Sequence, residues 1–225
     1  MTMPYRGNNW INQLPPEVQQ AMLARMRLRR LNKGEVIYAE GRMHSALWQV
    51  NRGSVRVTNE TPEGKEVVFA IFSVGDCFGE LTLLDGLPAS NTATAQEQVE
   101  LMELAKADFD ALYLEFPVIA NQLTRLLCAR VRHLMHFYAD AALRPLEQQM
   151  ASRVLYLSSE QAGEAVSEEL QFTQQELANM LGATRQAVSK VLNSWREQNL
   201  IALEYGKITV LSPSLLEAVA AGVKT

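Results

Sequence analysis

The hydrophobic pattern changes period twice along the 225 residues. Pro15-Pro16-Glu17 is a favourable helix start, with prolines at the first turn, and Val18, Met22, Leu23 and Met26 then recur at helical spacing. The spacing predicts a helix within residues 15–31. From Asn32 the apolar residues gather in short runs, at 36–38, 46–50, 54–57, 67–72 and 99–104, with glycines at 34, 41, 53, 64 and 75. Thr61-Pro62-Glu63-Gly64 reads as a hairpin turn. Short strands about ten residues apart predict a sandwich or barrel. After Asp108 the helical pattern returns, and Pro117 opens a long helix running to about Leu143. Arg144-Pro145 breaks it and reads as a hinge, followed by a helix over 146–157.

The long helix carries a heptad seam. Ala120, Leu123, Leu127, Arg130, Leu134, Phe137 and Ala141 alternate at spacings of three and four, with one arginine in a seam position. Such a helix either packs on its own sandwich or pairs with a second copy. Leu126, Val131 and Tyr138 widen the apolar face enough for both, so the favoured reading is a dimer interface of Leu123, Leu127, Arg130, Leu134, Phe137 and Ala141.

Residues 172–201 have the anatomy of a helix-turn-helix. Thr173 caps one helix, and Glu176 three residues later completes a capping box. Leu177, Met180 and Leu181 form its buried side, and Gly182 permits the left-handed backbone of a tight turn. Thr184 caps a second helix, with Val188, Val191 and Leu192 facing inward. Arg185, Gln186, Ser189 and Lys190 then share the outer face near its N-terminus, the end of a recognition helix that meets base edges. Arginine bridges guanine O6 and N7, and glutamine pairs with adenine N6 and N7. Lysine reaches guanine or phosphate, while Thr173 and Ser189 suit phosphate oxygens. Thr184, at the start of that helix, completes the candidate DNA-contacting set. Two short strands within 198–211, about Gly206, complete a wing.

Composition changes this picture little. With 48% hydrophobic and 20% charged residues, the chain has the makeup of a globular protein, and no apolar run nears the ~18–20 residues of a membrane span. The polar stretch 1–10 lacks the apolar core of a secretory signal, so the cytoplasm is the expected compartment. Net charge is −4, and from Pro145 onward six basic residues face nine acidic ones. A broad basic footprint is therefore missing. Within 183–196, however, Arg185, Lys190 and Arg196 stand without an acid, so any DNA contact is local. Cys77 and Cys128 form no CxxC pair, which leaves a disulfide scaffold, a zinc site and a four-cysteine cluster unsupported. Cys77 reads as a small buried hydrophobe, and His133 and His136 as solvated helix residues. No HExxH, phosphate loop or nucleophile–base set is present, so no enzyme is expected.

Assembled in order, residues 12–220 resemble the catabolite-activator/fumarate-nitrate-regulator (CRP/FNR) family of bacterial transcription factors. The resemblance rests on Lys33-Gly34-Glu35, Gly53-Ser54-Val55, Gly75-Asp76, Phe78-Gly79-Glu80-Leu81, Leu83-Leu84-Asp85-Gly86 and Thr173-Gln-Gln-Glu-Leu-Ala. It implies an α+β chain with an N-terminal antiparallel, jelly-roll-like β-roll over 1–116, a dimerisation helix and hinge over 117–144, and a winged helix-turn-helix over 145–225. It also implies a homodimer on palindromic double-stranded DNA, with RNA polymerase as partner and no membrane association.

In the cyclic-nucleotide members of that family, a glutamate after glycine holds a ribose hydroxyl and an Arg-Ser pair holds the cyclic phosphate. Gly79, Glu80 and Leu81 stand in place here, but Ala89 occupies the arginine's position and Ser90 the serine's; a shift by one gives Ser90 and Asn91. Neither alignment restores the charge-assisted bidentate contact. Leu134 and Met135 fall where hydroxyl residues meet the adenine, and neither hydrogen-bonds strongly. The resemblance thus implies an effector pocket of Gly79, Glu80, Leu81, Ser90, Asn91, Leu134 and Met135. Cyclic nucleotides and cyclic dinucleotides are the candidate effectors, ordinary cyclic AMP is disfavoured, and effector-independent activity stays open. Two rivals remain. One is a haem-based gas sensor on the same scaffold, with Cys77 or His44 as axial ligand by residue type alone. The other is a ligand-binding module whose acidic C-terminal part contacts protein.

Overall fold

The computed structural model describes residues 9–60, 66–161, 169–170, 173–204 and 206–223. The expected turn at Thr61-Pro62-Glu63-Gly64 lies outside the described residues. No described helix is long and apolar enough to cross a membrane. The chain divides into two compact units, one of Arg6–Asn59 with Phe69–Val131, the other of Met1–Tyr5, Glu60–Val68 and Arg132–Thr225.

The first unit runs α1 (Pro16–Arg25), β1 (Arg27–Leu31), β2 (Val36–Tyr38), β3 (Ala46–Arg52), β4 (Val55–Glu60), β5 (Glu66–Phe72), β6 (Cys77–Phe78), α2 (Glu80–Asp85), β7 (Thr92–Ala95), β8 (Val99–Ala105), α3 (Lys106–Glu115) and into α4 (Pro117–Leu143). The strands form two four-stranded sheets, ordered β1-β8-β3-β6 and β2-β7-β4-β5. Their inner faces meet on Leu31, Trp48, Val55, Val57, Phe78, Ala93, Val99 and Leu101. Burying each larger side chain of this set stabilises by about 1.5–3 kcal/mol, which works against the conformational entropy lost when the strands are ordered.

Period-two burial holds in β7 and over Val55–Val57 of β4, until Thr58 is buried beside Val57. It fails in β3, where Ala46 to Val50 are all buried because helix α3 packs on the second face. The expected helix over 15–31 is shorter than the pattern suggested. It ends at Arg25, Met26 is extended, and Arg27–Leu31 pair with β8 instead. Cross-strand ion pairs Arg29–Glu103 (3.1 Å) and Arg30–Glu100 (3.0 Å), with Leu31 buried, favour the strand over local helix propensity.

The second unit takes the end of α4 into α5 (Leu146–Gln161), β9 (Glu169–Leu170), α6 (Gln174–Met180), α7 (Arg185–Glu197), β10 (Ile201–Glu204), β11 (Lys207–Val210) and α8 (Pro213–Ala220). Helix α5 outruns the expected 146–157 because no proline or glycine interrupts it before Gly163. Met150, Val154, Leu157, Leu177, Val188, Leu192 and Trp195 form the core, and the buried Trp195 donates its Nε1–H to Glu147 Oε1 at 3.1 Å. Around Arg153, itself buried, Phe137 and Tyr156 supply ring faces at 5.6 and 5.3 Å, and its Nη2 donates to the Val68 carbonyl at 3.3 Å. His133 is not the solvated residue expected from its place beside the seam. It stacks on Tyr156 at 3.9 Å, and burial, with Arg153 and His136 nearby, lowers its pKa. His136 is exposed.

Candidate functional site

Helices α6 and α7 take their positions from their ends. The Thr173 Oγ1 accepts from the Glu176 amide at 3.2 Å while Glu176 Oε2 accepts from the Thr173 amide at 2.7 Å, a closed capping box. Leu177, Ala178 and Met180 bury the inner side of α6, with Leu181 half-buried after them. At the turn Gly182 has φ +61°, a conformation side-chain-bearing residues rarely adopt. The Thr184 Oγ1 then accepts from the Ala187 amide at 3.2 Å and starts α7. Val188, Leu192 and Trp195 are fully buried and Val191 half-buried, so the opposite side of the helix is committed to solvent.

On that outer side the structure brings together Arg185, Gln186 and Lys190, all exposed, with Ser189 half-buried behind them. Thr173 and Thr184, both exposed at helix starts, flank the cluster with their hydroxyls already engaged as caps. Asn193, one turn beyond Ser189, donates to its Oγ at 3.4 Å, a pairing the i, i+4 spacing offered but sequence reasoning did not use. Strands β10 and β11 pair antiparallel from Ile201↔Val210 to Glu204↔Lys207, the two strands of the expected wing. β9 adds a third strand that the pattern did not announce.

The first unit contains a cleft of about 390 Å³, measured to its open mouth. Gly79, Glu80, Leu81, Ser90 and Asn91 line it as expected, and so does Ala89. Gly79 has φ +92°, and a Cβ there would sit 2.8 Å from the Trp48 ring, so only glycine fits between β6 and α2. That turn drives Glu80 inward to 1% exposure, where its Oε1 accepts from Nη1 of Arg130. Leu134 and Met135 are not among the lining residues. One turn further along α4 than Arg130, they are 64% and 66% exposed.

Sequence reasoning missed Tyr38, His44 and the role of Arg130 here. Arg130 was visible as the odd charge in an apolar seam; nothing local in strand β2 or residue 44 signals the cleft, because only the fold carries them there. The Tyr38 hydroxyl donates to Asn91 Oδ1 at 3.1 Å, and burial, with the Glu80 charge, raises its pKa so that it stays a donor. His44 stacks on Tyr38 at 4.6 Å, and burial lowers its pKa, leaving a neutral imidazole at pH 7. Beneath the cleft, the fully buried Cys77 thiol is pushed up by burial, and burial lifts the Asp76 carboxyl to about 6.

The proposed dimer seam divides on the structure. Leu123 is 1% exposed inside its own unit, Arg130 faces the cleft, Leu127 is half-buried, and Phe137 lies beneath Arg153. The side chain of Ala141 lies outside the described residues. Leu134 is exposed, and with Val131, Met135 and Tyr138, which are 52–74% exposed, it makes one apolar stripe along α4. The stripe is rotated from the heptad because the sandwich takes the Leu123 side of the helix for its own core.

Comparison with known proteins agrees with both halves. Residues 28–116 match the cyclic nucleotide-binding domain family and residues 148–219 the Crp-like helix-turn-helix domain. The cyclic AMP receptor protein of Thermus thermophilus is 31% identical over 219 residues, covering 97% of this chain and 99% of that protein. A CRP-like cAMP-activated global transcriptional regulator of Mycobacterium tuberculosis is 29% identical over 185 residues, covering 81% of this chain and 82% of the relative. Among solved structures, the Thermus thermophilus catabolite activator protein aligns over 96% of this chain and 100% of its own, at 30% identity and a TM-score of 0.53. FixK2 of Bradyrhizobium japonicum, at 19% identity, shares the fold over 86% of this chain and 96% of its own with a TM-score of 0.73. With a two-sheet roll followed along the chain by a capped helix-turn-helix and wing, and a relative of this identity along nearly its whole length, the chain belongs to the CRP/FNR family of DNA-binding transcriptional regulators.

Proposed function

We propose that this regulator works as a homodimer on a palindromic site, each α7 entering one major groove with Arg185 and Gln186 on base edges and Lys190 on phosphate. The supporting observation is the exposed N-terminal face of α7, held by two caps and a glycine turn and bearing bases without acids. Thr173, Thr184 and Ser189 are assigned to phosphate oxygens. In this reading residues 1–116 sense, 117–144 dimerise and 145–225 read DNA, with the apolar stripe of α4 as the seam between copies. A small effector held by the roll biases the spacing of the two recognition helices through α4 and the Arg144-Pro145 break. Membership of a transcription-regulator family supports RNA polymerase as the protein partner and the cytoplasm as the place of action.

The test is selection of a binding site from random duplexes, followed by mobility shifts. Arg185→Ala is expected to lose about 1–3 kcal/mol on the selected site and to relax discrimination at one base pair per half-site. An unchanged footprint and sequence preference would remove Arg185 from the base-reading set.

A further inference from the structure

The passage from α4 to α5 has no continuous helical ladder to fix its angle. Pro145 lacks the N–H that bonds the carbonyl four residues back, and its ring crowds that turn, so the break itself sets no single bend. Side chains take over. Arg144 Nε pairs with Asp140 Oδ1, one turn earlier on α4, at 3.0 Å, while Arg144 Nη1 donates to the Ala220 carbonyl at 2.8 Å. The planar guanidinium fork makes both contacts at once. Ala220 is the last residue of α8, so its carbonyl is one of those a helix leaves without an internal donor, and the positive charge sits at the negative end of the helix. From α5, Gln149 Nε2 donates to the Arg144 carbonyl at 2.8 Å. One residue thereby ties three helices together at the break.

The same joint reaches the recognition helix. Glu147, in the first turn of α5, accepts at 3.1 Å from Nε1 of Trp195, which is fully buried on α7. Helix α8, with Leu216 buried, packs on α5. Leu134, Met135 and Tyr138 of the exposed α4 stripe belong to the same compact unit as these contacts. The helix that bears the stripe is therefore joined to α7 by short polar contacts within one unit, Asp140 to Arg144 to Ala220 on one side of α5 and Glu147 to Trp195 on the other.

We propose that Arg144 is a positioning residue for DNA reading: by holding Asp140 and the end of α8 together it fixes the α4–α5 bend, and with it the half-site spacing that a dimer accepts. It acts through the bend and not through DNA contact. The inference rests on the reading of a homodimer that pairs through the α4 stripe on a palindrome. One added base pair moves the second half-site by about 3.4 Å and turns it by roughly 34°. A stiff joint turns that misfit into lost contacts, whereas a loose one absorbs it.

The experiment measures the affinity of the full chain for duplexes carrying one selected pair of half-sites, at the preferred spacing and with one base pair inserted or removed. Wild type is expected to discriminate against both altered spacings by about ten-fold or more. Arg144→Ala, at an exposed side chain, is expected to fold and to cut that discrimination to about three-fold or less, with the base preference inside each half-site unchanged. Arg144→Lys keeps the charge but loses the fork that reaches both acceptors, and it decides in place of the alanine variant if that one does not fold. A folded variant that keeps the wild-type spacing profile, or that loses affinity equally at all three spacings, overturns the proposal. The two failures separate: a wild-type protein with no spacing preference loses the palindrome reading and this inference together, whereas a wild-type preference that the variant retains removes the inference alone.

Discussion

Thr173 satisfies one orphan amide at the start of α6 with its hydroxyl and offers its own amide to Glu176. Thr173→Ala removes one half of that exchange, and a cap of this kind is worth about 1 kcal/mol, within a range of roughly 0.5–2. Chemical denaturation should show the loss, with Thr173→Ser restoring most of it. Asp76 is the residue with a defined pH signature. Its folded pKa of about 6 lies above the ordinary 3.8, raised by burial and only partly offset by the Ser73 amide and Arg130. Because the folded value is raised, the neutral carboxyl is favoured by the fold. The stabilisation is full below about pH 4 and is lost as pH rises through about 6, up to roughly 2–3 kcal/mol by linkage. Asp76→Asn should flatten the unfolding free energy across that window and be at least as stable as wild type at pH 7. An unaltered slope in the variant would assign the dependence to another group.

At the scale of elements, α4 is the one whose sequence carries two competing instructions. Leu123 and Leu126 are buried in the sandwich unit, whereas Leu134 and Tyr138 stand 64% and 74% exposed. A free apolar stripe of that kind costs solubility unless something covers it, and a second α4 is the symmetric solution. Leu134→Glu and Tyr138→Glu should therefore give monomers in sedimentation at micromolar concentration, while Leu114→Glu, at 82% exposure on α3, should leave the assembly mass unchanged. Dimers that persist in both α4 variants would place the interface elsewhere. The same helix explains a limit of pattern reading. A heptad records which positions are apolar; it does not say whether a given face meets the chain's own sheet or another copy.

For the molecule as a whole, the charge balance shapes how DNA is held. The chain carries −4 overall, and its bases near the recognition face are few. The logarithm of affinity should then fall linearly against the logarithm of salt concentration with a shallow slope, because that slope scales with the number of phosphates neutralised. Since a dimer carries each substitution twice, Lys190→Ala should reduce that slope by about 2 if both copies touch phosphate. A slope equal to wild type would make Lys190 a base reader or a bystander. Local charge at α7 and repulsion elsewhere together favour a complex that forms only where the contacts are specific.

Much of this was legible in the chain. Helix α4 was placed from Pro117 to about Leu143, and the capping box, the Gly182 turn and the two-stranded wing were readable because each rests on interactions within a few residues. Short-range chemistry writes itself into short stretches of sequence. Arg27–Leu31 became a strand only because β8 supplies Glu100 and Glu103 across the sheet. The cleft is the fuller case: Tyr38, His44, Glu80 and Arg130 come from four separate segments, and what they can bind depends on distances that no local pattern encodes. Sequence by itself determined the family, the helix-turn-helix and the alanine at 89 where the resemblance puts an arginine. The tertiary structure alone decided that Arg130 pairs with Glu80, because closing a sandwich against α4 sets which side of that helix is left for solvent.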